Sequence, residues 1–140
     1  MADLPPSPES RPRALPRKAL SAYRITKAFG FALTGIRYAW QYEPNFKLEA
    51  FTGLAALLLS IWLGVSPMPI LLCCALVLPL ELINSALEAV VDLISPKRHP
   101  LAKLTKDAAA GAVLVASLFS ALIGLWHLGP PLLAKLGGLG

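Results

Sequence analysis

The chain has 140 residues, of which 56% are hydrophobic and only 15% charged, with a mean hydropathy of +0.62 and a formal net charge of +5. A soluble domain carries nearer one-quarter charged residues, so the composition describes one membrane domain and excludes an ordinary soluble fold. The bases are not interleaved with stacking aromatics; they lie beside apolar runs, which fits an anionic lipid surface and excludes nucleic-acid binding.

Residues 1–18 hold Pro5, Pro6, Pro8, Pro12 and Pro16 among Ser, Arg and Glu. Such a segment cannot bury a core, and it lacks the apolar stretch of a signal peptide, so a disordered tail is expected. Residues 19–47 repeat apolar and aromatic side chains at helical spacing, interrupted by Arg24, Lys27, Arg37 and Gln41. That pattern predicts an amphipathic helix lying in the membrane surface. Pro44 is expected to kink or end it, with Glu43 and Glu49 on either side and Trp40 and Tyr42 as interfacial anchors.

Three apolar runs follow, at about 50–65, 69–94 and 108–128. The first is short for a span of about 20 residues. The second, at about 39 Å, exceeds a hydrocarbon core of about 30 Å, so its last turns must emerge. Pro79 lies within it and predicts a bend. The third opens on small residues, from Ala108 to Ala112, that permit close helix packing. Residues 129–140 read as a flexible Gly/Pro/Leu tail. Cys73 and Cys74 are adjacent and cannot easily meet disulfide geometry; they read as apolar filler. The amino-terminal region and the 95–107 loop carry the Lys and Arg, which predicts both to be cytoplasmic.

The second run contains the informative residues. At about 100° per residue, with Glu81 at zero, Asn84 falls near −60°, Glu88 near −20° and Asp92 near +20°. One face thus presents a buried acid at Glu81, an interfacial acid at Glu88 and a wet acid at Asp92. An ionisable group within a span is a functional-site hypothesis by default. Glu81 has the setting of a general base or a proton carrier. Glu88, with Glu43 at the same membrane level, offers oxygen ligands to a hard cation. Lys97, Arg98, His99 and Lys106 supply charge for phosphates. Acids, a cation and bases at a membrane surface point to phosphoryl transfer onto a lipid hydroxyl. Neither a GxxxxGK[ST] loop nor a Gly-rich kinase loop is present. The other reading is a small proton-coupled transporter subunit with Glu81 as coupling acid; it leaves Glu43, the basic loop and the Lys106-Asp107 pair without a role.

The segment from Glu81 to Asp92 has the form ExxN[ST]AxExxVD, with His99 and then Lys106-Asp107 behind it, the Lys lying fourteen residues after Asp92. Together with Arg24, Lys27, Gly35, Glu43 and Glu49 upstream, it resembles the small prokaryotic diacylglycerol kinase family over about residues 20–128. The resemblance implies an all-α membrane protein: a surface helix and three transmembrane helices, assembled as a homotrimer in the bacterial inner membrane. It implies Mg²⁺ and ATP, and a lipid alcohol as acceptor. Glu81 would be the catalytic base, Glu43 and Glu88 the Mg²⁺ ligands. Arg24, Phe31, Glu43, Glu88, Lys97, Arg98, His99, Lys106 and Asp107 would line the nucleotide site. Asn84 and Glu49 would support the site, and Ala110 and Gly111 would border the lipid channel. The segment after Asp107 and the 95–103 loop look closer to the undecaprenol kinase branch, which leaves the acceptor open between diacylglycerol and undecaprenol.

Overall fold

The computed structural model describes residues 22–97 and 99–138. The tail expected over 1–18 and the basic Arg98 lie outside the described residues. Four helices follow in order and no strand occurs among the described residues: α1 (Ala22–Tyr42), α2 (Pro44–Leu63), α3 (Met68–Ile94) and α4 (Pro100–Gly137). The chain divides into two units at Leu33 within α1. In the first unit the described turns of α1 expose Ile25, Phe29 and Phe31. From Thr34 onward, α2, α3 and α4 pack together as the second unit.

α2, α3 and α4 are each long and apolar enough to cross a membrane. The junctions between helices follow from local chemistry. Pro44 does not sit within the surface helix; it opens α2, where its missing N–H costs nothing and its fixed φ is already helical. That placement gives α2 the 20 residues that the apolar run at 50–65 lacked. Glu43 takes the N-cap position in extended conformation, φ −102° and ψ 102°, but its side chain does not cap. Its carboxylate therefore stays available while its charge still favours the helix N-terminus. α2 ends at Gly64, whose φ of 74° is the left-handed conformation that closes a helix. The N–H of Gly64 bonds the Ile61 carbonyl at 3.1 Å and that of Val65 bonds Ser60 at 3.0 Å.

α3 runs unbroken through Pro79. α4 is longer than its apolar run in both directions. It begins at Pro100, with His99 as N-cap accepting from the Leu101 N–H at 3.2 Å. It continues past residue 128 to Gly137, through a segment whose composition reads as a flexible tail. Pro130 and Pro131 remove two backbone donors from this stretch. Two contacts hold it in place. The Lys135 Nζ donates to the Trp62 carbonyl at 2.6 Å and lies 4.2 Å from the centroid of that ring. His127 Nε2 lies 2.7 Å from the Ser66 carbonyl oxygen. The end of α4 is thereby tied to the end of α2 and the turn beyond it.

Among the described residues the small core comprises Ala39, Phe46, Ile70, Val77, Val113, Ala116 and Leu128. Most other large apolar side chains face outward, as expected where lipid or another chain replaces water. Gly53 of α2 packs tightly on Cys74 of α3: a Cβ there would stand 2.6 Å from Cys74 Sγ. Gly53→Leu is expected to force the helices apart at a cost of about 1–3 kcal/mol. A lowered thermal unfolding midpoint in detergent, partly restored by adding Cys74→Ala, would verify the contact.

Candidate active site

α3 carries the site because a continuous helix stacks residues three and four apart on one face. Glu81 is 3% exposed, the one buried charged side chain among the described residues. Asn84 and Glu88 are half-buried one and two turns on, and Asp92 is exposed. The depth gradient expected from the spacing is thus present along one face. Asn84 Nδ2 donates to Glu88 Oε1 at 3.0 Å, which orients that carboxylate. Asn84 Oδ1 is buried with no partner. Ser85 Oγ donates to the Glu81 backbone carbonyl at 3.0 Å and leaves the Glu81 carboxylate untouched.

The start of α2 adds three more groups. Glu49, Glu43 and Glu88 lie near enough for their charges to act on the Glu81 carboxylate, and the Asn45 side chain lies beside it. Glu49 Oε1 accepts from Ser117 Oγ of α4 at 3.1 Å, while Glu49 Oε2 is buried without a partner. Glu81 of α3 thus has carboxylates in its neighbourhood from the start of α2 and from its own helix. The ion pairs given by the described residues, Lys103–Asp107 and Lys106–Asp92, involve none of them. A buried carboxylate without an ion pair among the described residues is costly inside a span, which marks Glu81 as the functional position.

The donor set fits Mg²⁺. Glu43 and Glu88 offer hard carboxylate oxygens, and the unpartnered Asn84 Oδ1 lies on the same face. Among the described residues no group of three or more His, Cys, Asp or Glu side chains forms a metal cage by itself. Mg²⁺ does not require one; it is commonly held by one or two carboxylates and completes its shell with phosphate and water.

Beyond Asp92 the chain turns through Ser95 and Lys97 into α4, and a cleft of about 600 Å³ opens there. Asp92, Lys97, His99, Lys103, Lys106 and Asp107 line it. Lys106 Nζ lies 2.7 Å from Asp92 Oδ1, joining the ends of α3 and α4. An acid in the last turn of a helix opposes the helix dipole, and this pairing offsets that cost. Lys103 Nζ lies 2.6 Å from Asp107 Oδ2 within α4. Each acid in the cleft thus holds a lysine.

The two clusters share a helix: Glu81 and Glu88 on the inner stretch of α3, the cleft at its outer end. Lys97, His99, Lys106 and Asp107 are brought together; Ala110 is exposed and Gly111 half-buried one turn further along α4. Arg24 and Phe31 lie exposed on the first half of α1, in the other unit. Sequence reasoning passed over Asn45, Lys103 and Ser117. Ser117 had a usable signal, a hydroxyl inside an apolar run; Lys103 was hidden among the other loop bases. Asn45 had none beyond following Pro44, because only the packing of α2 on α3 turns it toward Glu81.

The chain is similar in sequence to a known family of proteins. The sequence model of a family described as prokaryotic diacylglycerol kinase matches residues 30–128. A diacylglycerol kinase of Synechocystis sp. is 37% identical over 135 residues, covering 91% of this chain and 77% of that protein. An undecaprenol kinase of Bacillus subtilis is 43% identical over 105 residues, covering 73% and 85%. A diacylglycerol kinase of Escherichia coli K12 is 38% identical over 113 residues, covering 76% and 93%.

Proposed function

The chain belongs to the prokaryotic diacylglycerol kinase family, and from that premise we propose that it is a membrane lipid kinase that moves the γ-phosphate of ATP to a lipid alcohol. The acceptor is diacylglycerol or undecaprenol, the two lipids after which its relatives are named. The observation that carries the reading is the Glu81 carboxylate, buried on α3 among Glu49, Glu43 and Glu88. Family membership lends nothing to coupled transport through Glu81.

The residues divide the work by depth. Glu81, within the apolar layer, meets the hydroxyl of an acceptor whose tails stay in the bilayer. Its carboxylate takes the hydroxyl proton as the acceptor oxygen bonds to the γ-phosphorus. The bond from that phosphorus to the β–γ bridging oxygen breaks, and ADP leaves with the electron pair. Asn84 orients Glu88. Glu43 and Glu88 would hold Mg²⁺, which when bound supplies positive charge against the phosphates. Lys97, His99, Lys106 and Asp107, which line the cleft, face the nucleotide. Ala110 and Gly111, lacking bulk, border the path of the lipid. We place the amino-terminal region and the 95–107 loop on the cytoplasmic side of the inner membrane, where the basic charge lies and ATP is available. Three copies of the chain form the working unit.

Purified protein given labelled ATP, Mg²⁺ and each lipid in turn is expected to transfer label to one of them in strong preference. No transfer to either lipid would remove the kinase reading, and the preferred lipid names the branch.

A further inference from the structure

Ser117, in the middle of α4, takes no part in the steps assigned to Glu81, Glu88 and the cleft. It differs from the other helical hydroxyls of the chain. Ser60, Ser85 and Thr105 each donate to the backbone carbonyl four residues back, that of Ala56, Glu81 and Leu101, at 2.8, 3.0 and 2.9 Å. That is the ordinary local way for a hydroxyl to satisfy itself within a helix. Ser117 Oγ instead donates across to α2, to Glu49 Oε1 at 3.1 Å, a residue 68 positions away in the chain. It does so from the packed face of α4, next to the buried Ala116 and one turn beyond the buried Val113.

This bond fixes a carboxylate. Oε1 of Glu49 is held against α4, and Oε2 is buried with no partner among the described residues. A carboxylate free to turn would offer either oxygen; anchoring one gives the other a set place. Glu49 lies near enough for its charge to act on Glu81. A buried acceptor without a donor is costly. The reaction itself makes a donor there, because the Glu81 carboxylate becomes a carboxyl, with an O–H, when it takes the hydroxyl proton of the lipid. We propose that Ser117 is a positioning residue: it holds Glu49 so that Oε2 accepts a hydrogen bond from the Glu81 O–H as that group forms. The inference rests on Glu81 being the base of the kinase reaction. The proton stays on Glu81 during this contact, and the bonds made and broken are those of the phosphate transfer alone. Because the contact arises only as the proton arrives, it favours the transition state without tightening either substrate.

The test measures transfer to the preferred lipid by the full chain and by S117A, S117T, S117V, E49Q and S117A/E49Q, with thermal unfolding midpoints in the same detergent. S117A is expected to lower kcat about tenfold, the scale of one hydrogen bond to a charged group. Both KM values should stay within about twofold. S117T, which keeps a hydroxyl, should retain most of the parent kcat. In the E49Q background, S117A should cost less than about twofold, since its effect passes through Glu49. Parent-like kcat in S117A would overturn the proposal and leave the kinase reading standing. Equal losses from S117A with and without E49Q would overturn it too, as would a raised lipid KM at unchanged kcat. Thr and Val share a shape and differ by the hydroxyl, so S117T against S117V decides even where S117A folds poorly; equal rates in those two would overturn the proposal. No transfer by the parent chain would instead remove the kinase reading, and this proposal with it.

Discussion

Glu81→Gln is expected to abolish turnover while the chain still folds, enters the membrane and binds nucleotide. The change removes one proton-accepting group and keeps the shape. A general base accounts for about 10²–10⁴-fold in rate, so kcat should fall by at least that lower figure with the nucleotide KM nearly unchanged. The fold should not suffer. Glu81 is buried beside three other acids, and replacing a crowded buried charge with a neutral isostere is commonly neutral or stabilising. A thermal unfolding midpoint equal to or above that of the parent, together with lost phosphate transfer, is the expected pair of results. Retained transfer would take the base role from Glu81, and a collapsed midpoint would make its role structural.

Glu88→Gln is the second large effect, and it isolates charge from hydrogen bonding. The Gln side chain keeps an oxygen to accept from Asn84 Nδ2, which meets Glu88 Oε1 at 3.0 Å in the parent. What disappears is the negative charge that we propose faces the phosphates' counter-ion. Activity should drop by about 100-fold, the scale of losing one preorganised electrostatic group. The Mg²⁺ concentration giving half the maximal rate should rise, while the lipid KM stays the same. An unchanged Mg²⁺ dependence would remove Glu88 from the metal site. Asn84→Leu should reproduce part of the effect, since it leaves the Glu88 charge but frees its orientation.

Much of the fold was legible because lipid imposes a simple rule on sequence. A span must be apolar, long enough and internally hydrogen-bonded, so three runs of that kind name three helices. The three acids Glu81, Glu88 and Asp92 and the amide Asn84 were legible for a related reason: helical spacing alone places them on one face. Two boundaries were not. Pro44 reads equally well as a break in one helix or the first residue of the next, and the geometry of Glu43 decides between them. The segment after residue 128 looks like a tail because Gly and Pro dominate it. It is helical because Lys135 and His127 reach the Trp62 and Ser66 carbonyls, contacts separated by 73 and 61 positions in the chain.

The chain's own pattern thus determined the class of protein, the order of its helices, the polar face of α3 and the family to which it belongs. Only the tertiary structure decided what meets that face. It brought Glu43, Asn45 and Glu49 of α2 toward Glu81, set Ser117 against Glu49, and tied Lys106 to Asp92. The reason is physical. Periodicity reports how one helix faces its surroundings, whereas a site needs side chains from several helices, and their rotations and offsets are chosen by close packing such as that of Gly53 on Cys74.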